Sequence, residues 1–339
     1  MAGTPIYGQG YIPNSGAITA ELNSVTRRAF VPKLVVQIYS AAPFLSMAMR
    51  NAQRARGGLN QVTVPVQGSQ FVNFNWAGYD GAFPQPSVQT AAQAAAWNLS
   101  LGTVPIPLLG MESMTQQTEA IIPLVKARMN DAKTVAIQSI STALYASSGA
   151  NQLQINGLLD VYDDGTSVTT YGGLSRTANP FWKSTKITAA IAPTRQTIIL
   201  RINQVTKLAG GEKPDFVLMS LGDWTTLAQD FMNGEQFNTN PTSRYGNDDA
   251  INAGFSALML AGVPILADIF CPTGTMFIVN SKYLSLYISE DANFAFSGFH
   301  SLIPNNQLAN VGVVITMMAL VCTKPISGAQ CNDITGAGF

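Results

Sequence analysis

Three stretches between Gln61 and Gly102 alternate apolar and polar residues with a period of two. Val62, Val64 and Val66 alternate with Thr63 and Pro65. Val72, Phe74 and Trp76 alternate with Asn73 and Asn75, and Trp97, Leu99 and Leu101 with Asn98, Ser100 and Gly102. That spacing predicts strands of a ribbon whose halves are linked by the polar, Ala-rich run Ser87 to Ala96. From Glu112 to Ser147 the period becomes helical. Ile121, Val125, Met129, Ala132, Ala136, Ile140 and Leu144 recur at steps of three or four, with Lys126, Arg128, Asn130, Lys133 and Gln138 mostly off that stripe. Pro123 either begins the regular helix or kinks it, and Gly149 ends it. A regular helix from Pro123 to Ser147 is about 37 Å long.

On either side of these two features the pattern is shorter. Met1 to Arg50 is a Gly-, Pro- and Tyr-rich arm with one short helical piece, broken at Pro32 and Pro43. Asn156 to Ser184 is crowded with turn residues and aromatics and predicts a compact irregular segment. Beyond it, Ile198, Ile202 and Val205 predict a helix, PDFVLMS a buried strand, GDWTTLAQDFM a capped helix, and VPILADI and GTMFIVN two more strands. Lys282 to Lys324 is strand-rich, and VGVVITMMALVC predicts one buried strand because it is too short to cross a bilayer as a helix. No internal repeat or heptad run is present.

Charge makes the ribbon unusual. Between Gly57 and Met111 the only charged residue is Asp80. An isolated ribbon is barely stable in water, and exposed strand edges normally carry Lys or other charges against aggregation. Either the ribbon packs on its own chain, or its edges and faces belong to a contact between chains. The whole chain is 11% charged, with Lys+Arg 19 balanced by Asp+Glu 19, against roughly 25% in ordinary domains. Such a surface calls for cover in an assembly. Net neutrality argues against a sequence-reading nucleic-acid protein. The start MAGTPIYGQGYIPNSG lacks a basic region and an apolar run, so no secretory signal is expected. Cys271, Cys322 and Cys331 form no CxxC pair or disulfide framework and fit small core positions in a reducing cytoplasm.

Candidate chemistry is sparse. Asp163 and Asp164, before Gly165, could pair as catalytic or metal-binding carboxylates, but an Asp-Asp-Gly run ordinarily builds a turn, and Asp248 with Asp249 is judged the same way. His300 is the only imidazole, which leaves no two-His zinc motif. Nothing local supports its pairing with Cys271 or Cys322 as a nucleophile. Gly210 and Gly211 precede Glu212, Lys213 and Pro214 without the GxxxxGK[ST] pattern of a phosphate cradle. No enzyme activity, cofactor or metal site is expected.

The order of segments, an arm, a low-charge ribbon, a long helix, a mixed domain and returning strands, resembles the major capsid protein of tailed bacteriophages, with its Hong Kong 97-type fold. Asn156 to Ser184, Pro214 to Leu227 and Gly262 to Ile288 resemble segments common in phage capsid subunits. The resemblance implies an α+β fold with an N-terminal arm at 1–50 and an extended β-hairpin loop at 51–110. It further implies a spine helix of the peripheral domain at 111–149, an axial domain at 150–281, peripheral-domain strands at 282–324 and a tail at 325–339 that returns toward the axial domain. Its motifs are structural, not catalytic.

The implied function is a major coat protein that self-assembles from hexamers and pentamers into an icosahedral head around double-stranded DNA. A separate scaffolding protein, a portal and a decoration protein are the implied partners, with no membrane; assembly takes place in the host bacterial cytoplasm and the product is the virion capsid. The loop residues expected to touch a neighbouring subunit are Val72, Phe74, Trp76, Asp80, Phe83 and Trp97. Arg27, Arg28, Arg50, Arg54 and Arg56 are candidates for facing packaged DNA or a neighbouring subunit. Some members crosslink through a lysine on the loop; here none occurs between Lys33 and Lys126, so a non-covalent shell is expected. The rivals are the shell of a non-viral nanocompartment with the same fold and, from a different class, a soluble hydrolase using Asp163 and Asp164.

Overall fold

The computed structural model describes residues 42–55, 60–68, 92–109, 118–148, 153–188, 190, 192–232, 257–302, 307, 309–332 and 334. A short helix α1 (Pro43–Arg50) leads to strand β1 (Gln53–Ala55). Pro43 sits at its first turn, where the missing N–H costs nothing. Strands β2 (Gln61–Gln67) and β3 (Ala92–Asn98) then pair antiparallel as a two-stranded sheet.

Two features of the ribbon differ from the sequence expectation. Ala92 to Ala96 belongs to a strand, not a linker. Alanine is a weak strand former, but the register places Ala95 opposite Val64 and Trp97 opposite Val62, and packing overrides the local preference. The alternation through Trp97, Leu99 and Leu101 is also broken in two. At Leu99 the chain leaves the ribbon, and β4 (Ser100–Leu109) pairs with β14 (Ala309–Cys322) over ten residues of register, so Leu99 is buried and Leu101 is 59% exposed.

Helix α2 (Thr118–Tyr145) has 28 residues and is about 42 Å long. Val125, Met129, Ala132, Ala136, Ile140 and Leu144 are all buried. Pro123 lies inside the helix rather than at its first turn. A one-turn helix α3 (Leu158–Val161) and a two-residue hairpin, β5 (Thr170–Tyr171) and β6 (Leu174–Ser175), organise the turn-rich segment that follows.

Two larger sheets carry the rest. In the first, β14 is central: β4 lies along one edge, while β12 (Leu284–Ser289) and β13 (Ala295–Ser301) share the other, because Met318 pairs with Ser100 on one side and Ile288 on the other. β1 adds in parallel beyond β12. The second sheet has the order β7 (Thr185–Ile187), β15 (Ala329–Cys331), β11 (Met276–Val279), β8 (Phe216–Met219), β10 (Val263–Ala267), β9 (Ala257–Leu260).

The runs FVLM, VPIL and MFIV are apolar without alternation because this second sheet is covered on both faces. Phe216, Leu218, Leu266, Phe277 and Val279 face a core shared with α2, α1 and the first sheet. Val217, Met219, Ile265, Met276 and Ile278 face a second core with Ile198, Ile202 and Val205 of α4 (Arg195–Leu208) and Leu227 of α5 (Leu221–Met232). Thr194 and Thr197 form a reciprocal cap at the start of α4. Ser220 Oγ accepts the Asp223 N–H at 3.2 Å at the start of α5. Among the described residues no helix is long and apolar enough to cross a membrane.

Candidate interaction surface

The root of the ribbon is where named sequence candidates can be placed. Side chains alternate along β3, so Gln93, Ala95 and Trp97 turn inward while Ala92, Ala94 and Asn98 are exposed. Trp97 is therefore 1% exposed and packs inside its own chain, which corrects its assignment to a neighbour contact. Its ring lies 5.5 Å from Tyr171 and 6.4 Å from Trp182. The β5–β6 turn closes on the indole because Gly172, at φ 56°, has no Cβ; one placed there would meet the ring at 2.8 Å. Trp182 donates Nε1–H to the Tyr171 carbonyl at 2.8 Å, and the Tyr171 hydroxyl accepts the Cys322 N–H at 3.0 Å. The ribbon is thus anchored through one aromatic cluster to the end of β14.

Of the other candidates, Arg50 and Arg54 are described and both are exposed, on the last turn of α1 and on β1. Val72, Phe74, Trp76, Asp80, Phe83, Arg27, Arg28 and Arg56 lie outside the described residues, as do Asp248 and Asp249.

The acidic pair is a turn. Asp163 is 1% exposed, and its Oδ1 accepts the N–H groups of Gly165, Ser167 and Val168 at 2.7, 3.2 and 3.2 Å, while Oδ2 accepts Lys186 Nζ at 3.1 Å. Although burial works in the opposite direction, these donors hold its carboxyl below the usual aspartate range. Asp164 accepts from Thr166 on the surface. Both carboxylate oxygens of Asp163 are engaged in holding the turn. Burial pushes the Cys322 and Cys331 thiols up to about 12 and Cys271 well above its ordinary value, so none is a ready thiolate. His300 is exposed, with Nε2 3.1 Å from the Ser297 carbonyl.

Two polar nodes missed by sequence reasoning join distant elements. Asp268, 1% exposed, accepts the Tyr145 hydroxyl at 2.7 Å, the Phe44 N–H at 3.3 Å and the Phe270 N–H at 2.9 Å, tying α1, the end of α2 and the loop after β10. Glu212 accepts the Tyr283 hydroxyl at 2.7 Å, Lys282 Nζ at 3.1 Å and Lys324 Nζ at 3.0 Å. It clamps two of the crossings between the large sheets, β11 to β12 and β14 to β15. These bonds, Tyr283 first, lower the Glu212 carboxyl from 4.5 to about 2. A folded value below the unfolded one stabilises above the unfolded value, and that contribution is lost as pH falls toward 2. Glu212→Gln is accordingly expected to narrow the difference between its own and wild-type unfolding midpoints steadily from pH 5 to pH 2; a constant difference would remove the clamp from the account.

Beside the ribbon root, a hollow of about 650 Å³ is lined by amides and hydroxyls, including Gln61, Asn98, Ser100 and Asn156, and by the Asp160 carboxylate. Among the described residues its lining has no basic side chain and so no complement to phosphate. The exposed ribbon and β4 positions Gln61, Thr63, Pro65, Ala92, Ala94, Asn98, Leu101, Thr103, Pro105 and Pro107 are likewise uncharged. Their chemistry suits packing and peptide hydrogen bonding, without ion pairing.

This architecture recurs in solved shells. The chain aligns with a capsid subunit of cyanophage A-1(L) at 16% identity and a TM-score of 0.60, covering 88% of this chain and 93% of that one. It aligns with the holo-SrpI encapsulin complex of Synechococcus elongatus at 13% identity and 0.54, covering 86% and 88%. The capsid of a native GTA particle aligns at 10% identity and 0.52, over 86% and 91%. No family model and no curated protein matches the sequence. The chain has the α+β fold of tailed-phage capsid subunits, the Hong Kong 97-type fold, which the encapsulin shares.

Proposed function

We propose that this chain is the major capsid protein of a tailed phage, assembling as hexamers and pentamers into an icosahedral head around double-stranded DNA. The observation that carries this is the shared fold with the cyanophage capsid subunit over 88% of the chain. An 11% charged composition, which leaves a lone subunit poorly protected in water, supports a shell role. In this proposal 1–50 is the arm, 51–110 the extended loop, 111–149 the spine helix, 150–281 the axial domain, 282–324 the peripheral strands and 325–339 the tail. A scaffolding protein, a portal and a decoration protein are the proposed partners, and assembly takes place in the host cytoplasm. Obligate contacts of about 2,000 Å² or more per pair, repeated by symmetry, close the shell.

The encapsulin match favours a second reading, the shell of a non-viral compartment. Sedimentation and electron microscopy of the expressed chain test both, with nuclease digestion of native particles to separate them. Closed shells with protected double-stranded DNA of uniform length are expected. Shells holding an enzyme cargo would favour the compartment, and a persistent single subunit would sink both. With no lysine between Lys33 and Lys126, denaturing electrophoresis is expected to show one band near 36.1 kDa; a ladder would mean a covalent lattice.

A further inference from the structure

One face of the ribbon is turned to the body along β2 and β3. Its inward positions are Val62, Val64 and Val66 on β2 and, paired across from them, Trp97, Ala95 and Gln93 on β3. Val62, Val66, Ala95 and Trp97 are buried there. Period two makes Gly68 the next inward position, and it supplies no side chain. The ring of Phe181 fills the space instead: a Cβ placed on Gly68 would stand 2.1 Å from its Cζ and 2.2 and 2.5 Å from its two Cε atoms. No real contact is that short, so glycine is required here for close approach.

The turn that carries Phe181 is stiff. Pro180 opens it, the Trp182 N–H donates to the Asn179 carbonyl at 2.9 Å, and the Lys183 N–H donates to the Pro180 carbonyl at 3.2 Å. Asn179 is itself tied back to the Ser175 carbonyl, through its N–H at 3.1 Å and its Nδ2 at 2.9 Å. The next side chain on the same turn, Trp182, is the one that packs on Trp97, and the Phe181 and Trp182 rings lie 6.2 Å apart. Consecutive residues of one turn therefore hold the ribbon at two places, its root and the point just past the end of β2. One contact fixes a position; two fix a direction. Without the second, β2 and β3 are a two-stranded sheet that joins neither large sheet, and such a sheet is marginal on its own.

We infer that Phe181 is a positioning residue for assembly: seated on Gly68, it sets the direction in which the ribbon leaves the body before a second copy is met. This rests on the shell reading, in which the ribbon belongs to the loop that reaches a neighbour. A ribbon aimed in advance need not be ordered at the moment of contact, so more of the free energy of that contact holds the shell. The same direction sets the angle between one copy and the next. A closed shell of one size needs that angle to be reproducible. The seat is a knob in a socket, so either half can be removed. Phe181→Ala takes away the ring, and Gly68→Ala forces the ring out, because its tip can swing aside where backbone could not.

Double electron–electron resonance on the full chain reads the direction, with spin labels at Ala92→Cys on the ribbon and Leu200→Cys on α4. Both positions are exposed, whereas Cys271, Cys322 and Cys331 are buried and stay unlabelled. Labelled chain is diluted with unlabelled chain, so that only the distance within one copy is seen. Wild type is expected to give one narrow distance, and each single variant a distribution at least about twofold wider, because the ribbon is then held at its root alone. Gly68→Ala is expected to add nothing in the Phe181→Ala background, where the space is already empty. In electron micrographs wild-type particles are expected to share one diameter, and the variants to give mixed diameters or fewer particles. Unchanged distance widths, or effects that add in the double variant, would overturn the inference, and Gly68→Ala decides this even where Phe181→Ala fails to fold. Widened distances with particles of unchanged number and diameter would overturn the assembly role while leaving the shell reading intact. Absence of wild-type particles would defeat the shell reading itself, whatever the distances.

Discussion

Arg176→Met is expected to destabilise the subunit by about 3–5 kcal/mol, the cost of removing one member of a buried charged network. The Arg176 side chain is 0% exposed. Its guanidinium donates to the carbonyls of Asp160 at 2.6 Å, Val161 at 2.9 Å, Val168 at 3.0 Å and Trp182 at 3.4 Å, and lies 3.9 Å from the Asp163 carboxylate. These acceptors come from α3, the Asp163 loop and the turn carrying Trp182, so one side chain closes the segment between Gly157 and Ser184. Methionine fills comparable volume but leaves the buried carbonyls without their donor. Arg176→Lys is expected to recover only part of the loss, because a single ammonium cannot fork across four carbonyls. Urea unfolding of the three chains measures this, and a change below about 0.5 kcal/mol for methionine, the range of an ordinary surface substitution, would show that the network is not needed. Since Trp182 and Tyr171 hold Trp97, the same variant is expected to loosen the ribbon root and lower particle yield.

Arg176 also marks a limit of sequence reasoning. The segment around it was recognisable as compact from its turns and aromatics, but a lone arginine ordinarily signals surface. Only the convergence of carbonyls from Asp160 to Trp182 makes it a core residue. The long helix and α4 were legible because each buries a face whose period is written locally, and β8, β10 and β11 because each is a short unbroken apolar run between turn residues. Trp97 was legible as a strand residue yet not as a core one: period two gives two faces and cannot say which is covered. That decision came from Gly172, 75 positions away in the chain, whose missing Cβ admits the turn. Asp268 and Tyr145 are separated by 123 residues, and no local pattern pairs them. Pro105 and Pro107, two apart in an otherwise strand-like run, mark an edge strand and the side it leaves open.

Gly157→Ala is expected to be among the most damaging single-methyl additions in the chain, about 3 kcal/mol or more, at the upper end of overpacking costs. The reason is space rather than backbone conformation. Gly157 has φ −81° and ψ −173°, which alanine adopts freely. A Cβ there would stand 2.2 Å from the Ala146 carbonyl oxygen, 2.6 Å from that of Ala143 and 2.7 Å from that of Leu144. All three are backbone atoms at the end of α2 and cannot swing aside. The methyl must push α3 away from the long helix, straining the bonds by which Asp160 accepts the Ser147 hydroxyl at 2.5 Å and the Ser148 N–H at 2.7 Å. Gly173→Ala provides the opposite case: φ is 74°, but nothing lies within 4 Å of the added carbon. Its expected cost is the left-handed conformation alone, about 1–2 kcal/mol. Denaturation midpoints should therefore rank Gly157→Ala well below Gly173→Ala. The reverse order would mean that the end of α2 yields to α3, and that the joint between the long helix and the segment after it is soft, not closely packed.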